Sequence, residues 1–303
     1  MSVFVLILIL TIYLNFVKLY SIIFVIPSLI FAMAVLIVSS DRFFDEATAA
    51  MGRIGFSDRF SGSIFAAMVA VADEISLSIF SVILRTPLVG FGAVEGSNLV
   101  TLLFFVVWMP LFSIQKTRAF RADAVFVLLL SIITYYFSTV SSDFKIIAGI
   151  LLSLFIVPYL MVYVRMPRGK SSTTEEFSLI MLVLSIVLLT AASQIIVEDT
   201  IALSELDHID IAALSIYGIG IASAIPETVM IIVASIKKKV DISIGVLAGS
   251  SVYKMSIIPG LLIMTGKIET TGLDLPLMTI MILSVIFLFY TLYGTIKFKG
   301  GYR

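Results

Sequence analysis

Ten stretches of the chain are long, apolar and almost free of charge: residues 3–17, 21–40, 61–84, 88–112, 122–140, 144–164, 177–197, 209–236, 241–265 and 273–296. A helix crosses the hydrocarbon core of a bilayer with about 20 apolar residues, in a range of roughly 17–25. In lipid the backbone amides have no water to bond, and a helix satisfies them within one segment. The pattern predicts an all-α polytopic membrane protein with about ten transmembrane helices. Composition supports this: 60% of the 303 residues are hydrophobic and 13% are charged, where soluble domains carry about 25% charged residues. The run 3–17 is short and ends at Lys18. A signal peptide is the rival reading, but no positive charge precedes the run and no small-residue cleavage site follows it. Residues 1–20 therefore read as an extra N-terminal helix.

The loops carry the orientation. One side receives five groups of three bases: Arg42, Arg53 and Arg59; Lys116, Arg118 and Arg121; Arg165, Arg168 and Lys170; Lys237, Lys238 and Lys239; Lys297, Lys299 and Arg303. The other side receives four: Lys18, Arg85, Lys145 and Lys267. Lysine and arginine collect on the cytoplasmic side, which predicts a multi-pass cell-membrane protein with its C-terminus inside. The stretch 166–176, rich in Ser, Thr and Glu, reads as a cytoplasmic linker between the segments 21–165 and 177–303. The twenty bases and twenty acids cancel and cysteine is absent. No nucleic-acid partner, disulfide framework or thiol chemistry is implied.

The two segments are related. A shift of 153 positions lays Glu74 on Glu227, Gly92 on Gly245, Gly96 on Gly249 and Ser97 on Ser250 without a gap, with Asp45-Glu46 on Glu198-Asp199. Five spans separate the copies, so the second enters the membrane from the opposite side. Inverted-topology repeats are characteristic of secondary transporters, whose substrate site lies near the midplane between the halves. Glu74 and Glu227 sit well inside apolar runs, where carboxylates are costly and mark ion or proton pathways. A protonated glutamic acid that only bonds two helices together is the bland alternative. Pro226 should break the helix beside Glu227 and free carbonyls near Ala222 and Ser223. Carbonyls and carboxylates are the ligands of hard cations such as Ca²⁺. The first copy has Asp73 where the second has Pro226, so it gains a carboxylate and lacks a proline break. Gly92/Gly96 and Gly245/Gly249, each pair four apart, present a small face to a neighbouring helix and read as packing residues around the site.

These residues resemble the calcium/cation antiporter superfamily, which includes sodium/calcium and cation/proton exchangers. The second copy reads Ala222-Ser223-Ala224-Ile225-Pro226-Glu227, then Gly245-Val246-Leu247-Ala248-Gly249-Ser250-Ser251. The first reads Val69-Ala70-Val71-Ala72-Asp73-Glu74, then Gly92-Ala93-Val94-Glu95-Gly96-Ser97-Asn98. The family's pattern is a Gly-Thr-Ser-Leu-Pro-Glu-like stretch followed by a Gly-Asn-x-x-Gly-Ser-Asn-like one. The resemblance covers roughly residues 20–297. It implies secondary active antiport of a cation, Ca²⁺ as the best match, against H⁺ or Na⁺. It also implies a midplane site in which Glu74 and Glu227 are the metal-binding carboxylates, assisted by Asp73 and Ser223, with no cofactor besides the transported ion.

Departures from the pattern are specific. The family's site hydroxyls fall on Ala70, Val71, Ser223 and Ala224, so only Ser223 remains, and the Asn or Asp after the first glycine falls on Ala93 and Val246. The resemblance would also lead one to expect a further span after 273–296, for which residues 297–303 give no counterpart. Two intramembrane charges appear instead, Glu95 and Lys254. A buried lysine and carboxylate pair or lose their charge. They read either as a salt bridge between spans or as an ammonium standing where a coupling cation would bind. The first option leaves room for a non-transporting membrane protein on the same scaffold, locked by a Glu95–Lys254 pair. The sequence carries no His-Glu-x-x-His, Gly-x-Ser-x-Gly or phosphate-binding loop, so an enzyme is not expected. The charge split and odd span count predict that cysteine introduced at Lys238 labels only from the cytoplasm, and at Asp207 only from outside. Labelling of both from one face would remove the inverted repeat.

Overall fold

The structure is a computed structural model, and it describes residues 22–54, 67–108, 118–164, 177–225, 227–228, 240–266, 268 and 273–293. The run 3–17, the linker 166–176, Pro226 and Lys237–Lys239 lie outside the described residues. The described chain is α1 (Ile22–Ile54), α2 (Ala67–Ala70), α3 (Ala72–Ile83), α4 (Pro87–Trp108), α5 (Arg118–Thr139), α6 (Lys145–Leu154), α7 (Ile156–Val164) and α8 (Leu179–Asp207). It continues through α9 (Ile211–Ile225), α10 (Val240–Met255), α11 (Ile257–Ile263) and α12 (Asp274–Tyr293). Among the described residues, seven helical segments are long and apolar enough to cross a membrane. Each falls on one of the ten sequence-predicted runs. Leu179, Ile180, Ile282 and Phe289 are more than half exposed along their outer faces, as lipid-facing side chains are.

The offset of 153 reappears in the architecture. Among the described residues it carries α1 onto α8, α2 onto Gly220–Ser223 within α9, α4 onto α10–α11, and α5 onto α12. α6 and α7 have no described equivalent. The two long related helices, α1 and α8, pack against each other. α1 has 33 residues, or about 50 Å at 1.5 Å per residue, which exceeds the hydrocarbon thickness of about 30 Å. Its far end carries the acidic Glu46, whose Oε2 accepts from the Ser178 amide at 2.7 Å and satisfies one free N–H at the start of α8.

The Glu74-bearing run 61–84 is not one continuous span. It breaks at Val71, with φ −99° and ψ 18°, between α2 and α3. The missing proline of this copy predicts an unbroken helix, and the structure corrects that. The break puts Asp73 and Glu74 in the first turn of α3, where the positive end of the helix dipole favours carboxylates. α3 then reverses into α4 through Arg85 at φ 62°, and Pro87 opens α4, where a missing amide hydrogen costs nothing.

Close helix crossings position the site. α9 begins at an Asp210 cap, whose Oδ1 accepts from the amides of Ala212 at 2.7 Å and Ala213 at 3.2 Å. It then widens into a π-turn over Leu214–Gly220. α4 crosses that turn at its glycines. A Cβ on Gly96 would lie 2.1 Å from the Ile216 carbonyl oxygen, and one on Gly92 2.6 Å from Ser215 Cβ. Gly245 and Gly249 are buried on α10, which packs on α2 and α4. Away from the site, Phe105, Phe120 and Phe287 join α4, α5 and α12, the first and last with ring centroids 4.3 Å apart. Lys145 donates to the Ile268 carbonyl and ties α6 to the chain after α11.

Backbone at a helix crossing cannot yield as a flexible side chain does. Gly96→Ala should therefore lower thermal stability by about 1–3 kcal/mol or prevent folding, in line with overpacked cores. Gly218→Ala meets only Leu214 Cδ1 at 3.4 Å and should change little. Equal melting temperatures of the two variants in detergent would contradict this crossing.

Candidate functional site

Glu74 and Glu227 come from opposite halves of the chain and meet. Between them stands the ammonium of Lys254. Its Nζ lies 2.5 Å from Glu227 Oε2 and 3.3 Å from Glu74 Oε1. It donates to Ser97 Oγ at 2.8 Å and to Thr101 Oγ1 at 3.4 Å. Each hydroxyl in turn donates a hydrogen bond to a carboxylate: Ser97 to Glu74 Oε1 at 2.7 Å, and Thr101 to Glu227 Oε2 at 2.9 Å. A hydroxyl has one donor and two acceptor positions, so both bridges are chemically complete. Glu74 and Lys254 are fully buried, and Glu227 is 2% exposed.

The local sequence explains the convergence. Ser97 and Thr101 are one turn apart on α4, as Ser250 and Lys254 are on α10, so each pair lies along one helix face. The offset of 153 places Thr101 on Lys254. Related faces of α4 and α10 thus turn toward the same point, which Glu74 reaches from α3 and Glu227 from just beyond α9. The symmetry is broken at Ser250, which donates to the Leu247 carbonyl of its own helix at 2.9 Å rather than to a carboxylate.

The remaining sequence-predicted site residues are placed as follows. Asp73 is buried and stands next to Glu74 in the first turn of α3. As ionised groups, neither Asp73 oxygen receives a hydrogen bond. Ser223 is buried one turn before Glu227 but donates to the Gly220 carbonyl at 3.1 Å, closing the end of the π-turn. Glu95 is buried with Oε1 unbonded. Lys254 forms its ion pairs with Glu227 and Glu74 and not with Glu95, which corrects the expected bridge. The reason is helical phase: Glu95 lies between Gly92 and Gly96, whereas the face that meets Lys254 is that of Ser97 and Thr101. Those two hydroxyls are the site residues that the motif comparison missed. Among the described residues, no three Asp, Glu, His or Cys side chains converge as metal ligands would. The cluster is two carboxylates, two hydroxyls and a cation supplied by the chain. His208, the one histidine of the sequence, ends α8 in the left-handed region at φ 54° and is exposed.

Several solved structures share the fold. An H⁺/Ca²⁺ exchanger CAX matches with a TM-score of 0.65 and 13% identity, over 97% of this chain and 88% of its own. The sodium-calcium exchanger NCX_Mj matches with a TM-score of 0.61 and 17% identity, over 90% and 92%. The structure of native YfkE matches with a TM-score of 0.63 and 14% identity, over 89% and 84%. No curated protein sequence matches the chain. The sequence profile of the sodium/calcium exchanger proteins matches residues 24–164 and again 177–302. The chain is an integral, multi-pass membrane protein and belongs to the sodium/calcium exchanger protein family.

Proposed function

We propose that this protein is a secondary active antiporter that exchanges Ca²⁺ against H⁺ by alternating access, with Glu74 and Glu227 as the carboxylates that hold the cargo. The observation that carries the reading is the meeting of one carboxylate from each half around a single buried positive charge. Two oxygens of glutamate and two of hydroxyls surround that point, and hard cations take such ligands. Asp73 is the next carboxylate along the chain, buried beside Glu74 and outside that ring of oxygens. Ser223 stands one turn before Glu227 in the second half and is the remaining hydroxyl of that motif.

The choice of H⁺ over Na⁺ rests on the side chains present. Of the six positions that resemble ion ligands in the family, Ala70, Val71, Ala93, Ala224 and Val246 carry no side-chain oxygen, and only Ser223 does. Crowded buried carboxylates are ready proton acceptors when cargo leaves, because like charges in a dry site cannot all stay ionised. The site then crosses in either direction once neutralised, by the ion or by protons. The basic loops support a C-terminus and a 166–176 linker on the cytoplasmic side, and the lipid bilayer is the protein's medium. The non-transporting alternative required a Glu95–Lys254 lock, and Lys254 is engaged elsewhere.

Reconstitution tests this directly. Liposomes with an acid interior should accumulate Ca²⁺ through the protein, and an imposed Na⁺ gradient without a pH gradient should drive far less. If no divalent or monovalent cation moves under either gradient, the antiporter reading fails. Glu74→Gln and Glu227→Gln should each cut exchange by about two orders of magnitude or more, the scale of a lost charge contact in a desolvated site. Folded protein should persist in the membrane, as read by size-exclusion chromatography. Full exchange by either variant would reassign the site.

A further inference from the structure

Lys254 is the one cation-bearing side chain in the cluster, and no feature of an exchange cycle described so far needs it. Its stem comes from α10, fully buried, and it ends at the point where the two halves meet. Its nitrogen has four oxygens within 3.4 Å: Glu227 Oε2, Ser97 Oγ, Glu74 Oε1 and Thr101 Oγ1. Those spacings are the hydrogen-bond shell of an ammonium, and all four atoms are oxygens of the kind that hard cations also take at shorter range. An ammonium has three hydrogens to donate, so the shell holds more oxygens than Lys254 alone can bond.

We propose that Lys254 is a tethered cation that occupies the cargo seat between Glu74 and Glu227 and is displaced from it by a divalent cation. This rests on the reading of those two glutamates as the seat. The structure contains a destination for the displaced ammonium. Asp73 adjoins Glu74, is buried, and accepts no hydrogen bond in the observed arrangement. With a divalent ion on Glu74 and Glu227 and the ammonium on Asp73, the three carboxylates are matched in charge. A monovalent ion in the same seat leaves one negative charge unmatched in a dry interior, a costly state. The tether therefore selects divalent cargo over Na⁺ or K⁺. It also spares the cargo-free protein from confronting two bare carboxylates. The repeat shows what the position holds without a tether: its equivalent is Thr101, a neutral hydroxyl that serves the same shell.

Equilibrium binding of radiolabelled Ca²⁺ to purified protein tests the seat without requiring transport. Lys254→Ala should bind Ca²⁺ at least about tenfold more tightly than the unsubstituted protein, since the internal competitor is gone. Methylammonium should compete with Ca²⁺ in Lys254→Ala and raise its melting temperature, because the vacated seat accepts a free ammonium. The unsubstituted protein should show neither effect. Glu74→Gln added to Lys254→Ala should abolish both. Unchanged or weaker Ca²⁺ binding by Lys254→Ala overturns the proposal. So does tighter binding without methylammonium competition, which would mean that Lys254 acts at a distance. Should Lys254→Ala fold poorly, Lys254→Met keeps the length of the stem without its charge and is measured in the same way. Failure of both variants to fold in Ca²⁺ or in methylammonium also overturns the proposal, because Lys254 would then be a structural strut. Failure of Ca²⁺ accumulation in liposomes with these binding results intact would instead remove the antiporter reading and leave the seat.

Discussion

Two carboxylates a few ångströms apart in a place without water need a positive charge between them. At an effective dielectric of about 20, two like charges 4 Å apart repel by about 4 kcal/mol, before the cost of desolvating each. Here Lys254 supplies that charge, and the rest of the architecture serves to deliver its partners. α3 begins at a break so that Glu74 stands in its first turn. α4 passes over the π-turn at Gly96 with backbone on backbone, which brings Ser97 and Thr101 to the meeting point. Separating these elements by the width of one methyl group would open the ring of bonds around the ammonium.

The site is pseudo-symmetric in scaffold and asymmetric in chemistry. Glu74 faces Glu227 and Ser97 corresponds to Ser250, but Thr101 corresponds to Lys254. A purely symmetric site would hold its charge on the axis between the halves. The lysine instead leans toward Glu227, at 2.5 Å, and away from Glu74, at 3.3 Å. Glu74 is compensated by Ser97 and stands beside Asp73, which the second half replaces with a proline. Each copy of the duplicated segment has therefore kept the carboxylate and changed its company: an extra acid in one, an extra base in the other.

Much of this was legible in the sequence for physical reasons. Spans are long and apolar because lipid permits nothing else, so the seven long helices fall where the hydropathy of the chain puts them. Glu74 and Glu227 stand out because ionisable groups are rare at such depth. The pairing of Lys254 was not legible in the same way. Glu95 is the nearest carboxylate by motif position, and matching by charge selects it. The actual partners follow from which face of α4 turns toward α10, a matter of about 100° per residue. The signal was present in the register: the offset that aligns the glutamates also aligns Lys254 with Thr101, one turn beyond Ser97. The break at Val71 was hidden too, since no proline or glycine marks it.

The π-turn in α9 has a consequence for how the second half is aimed. A π-turn holds one residue more than α-helical winding needs, so everything after Gly220 is rotated by about 100° relative to an uninterrupted helix. A wheel drawn with 3.6 residues per turn from Ile211 therefore assigns Ser223 to the wrong azimuth, and the error carries toward Glu227. The inserted residue acts as a phase shifter. Its position opposite Gly92 and Gly96 means that the element setting the bearing of the second half is gripped by the helix that carries the hydroxyls of the first.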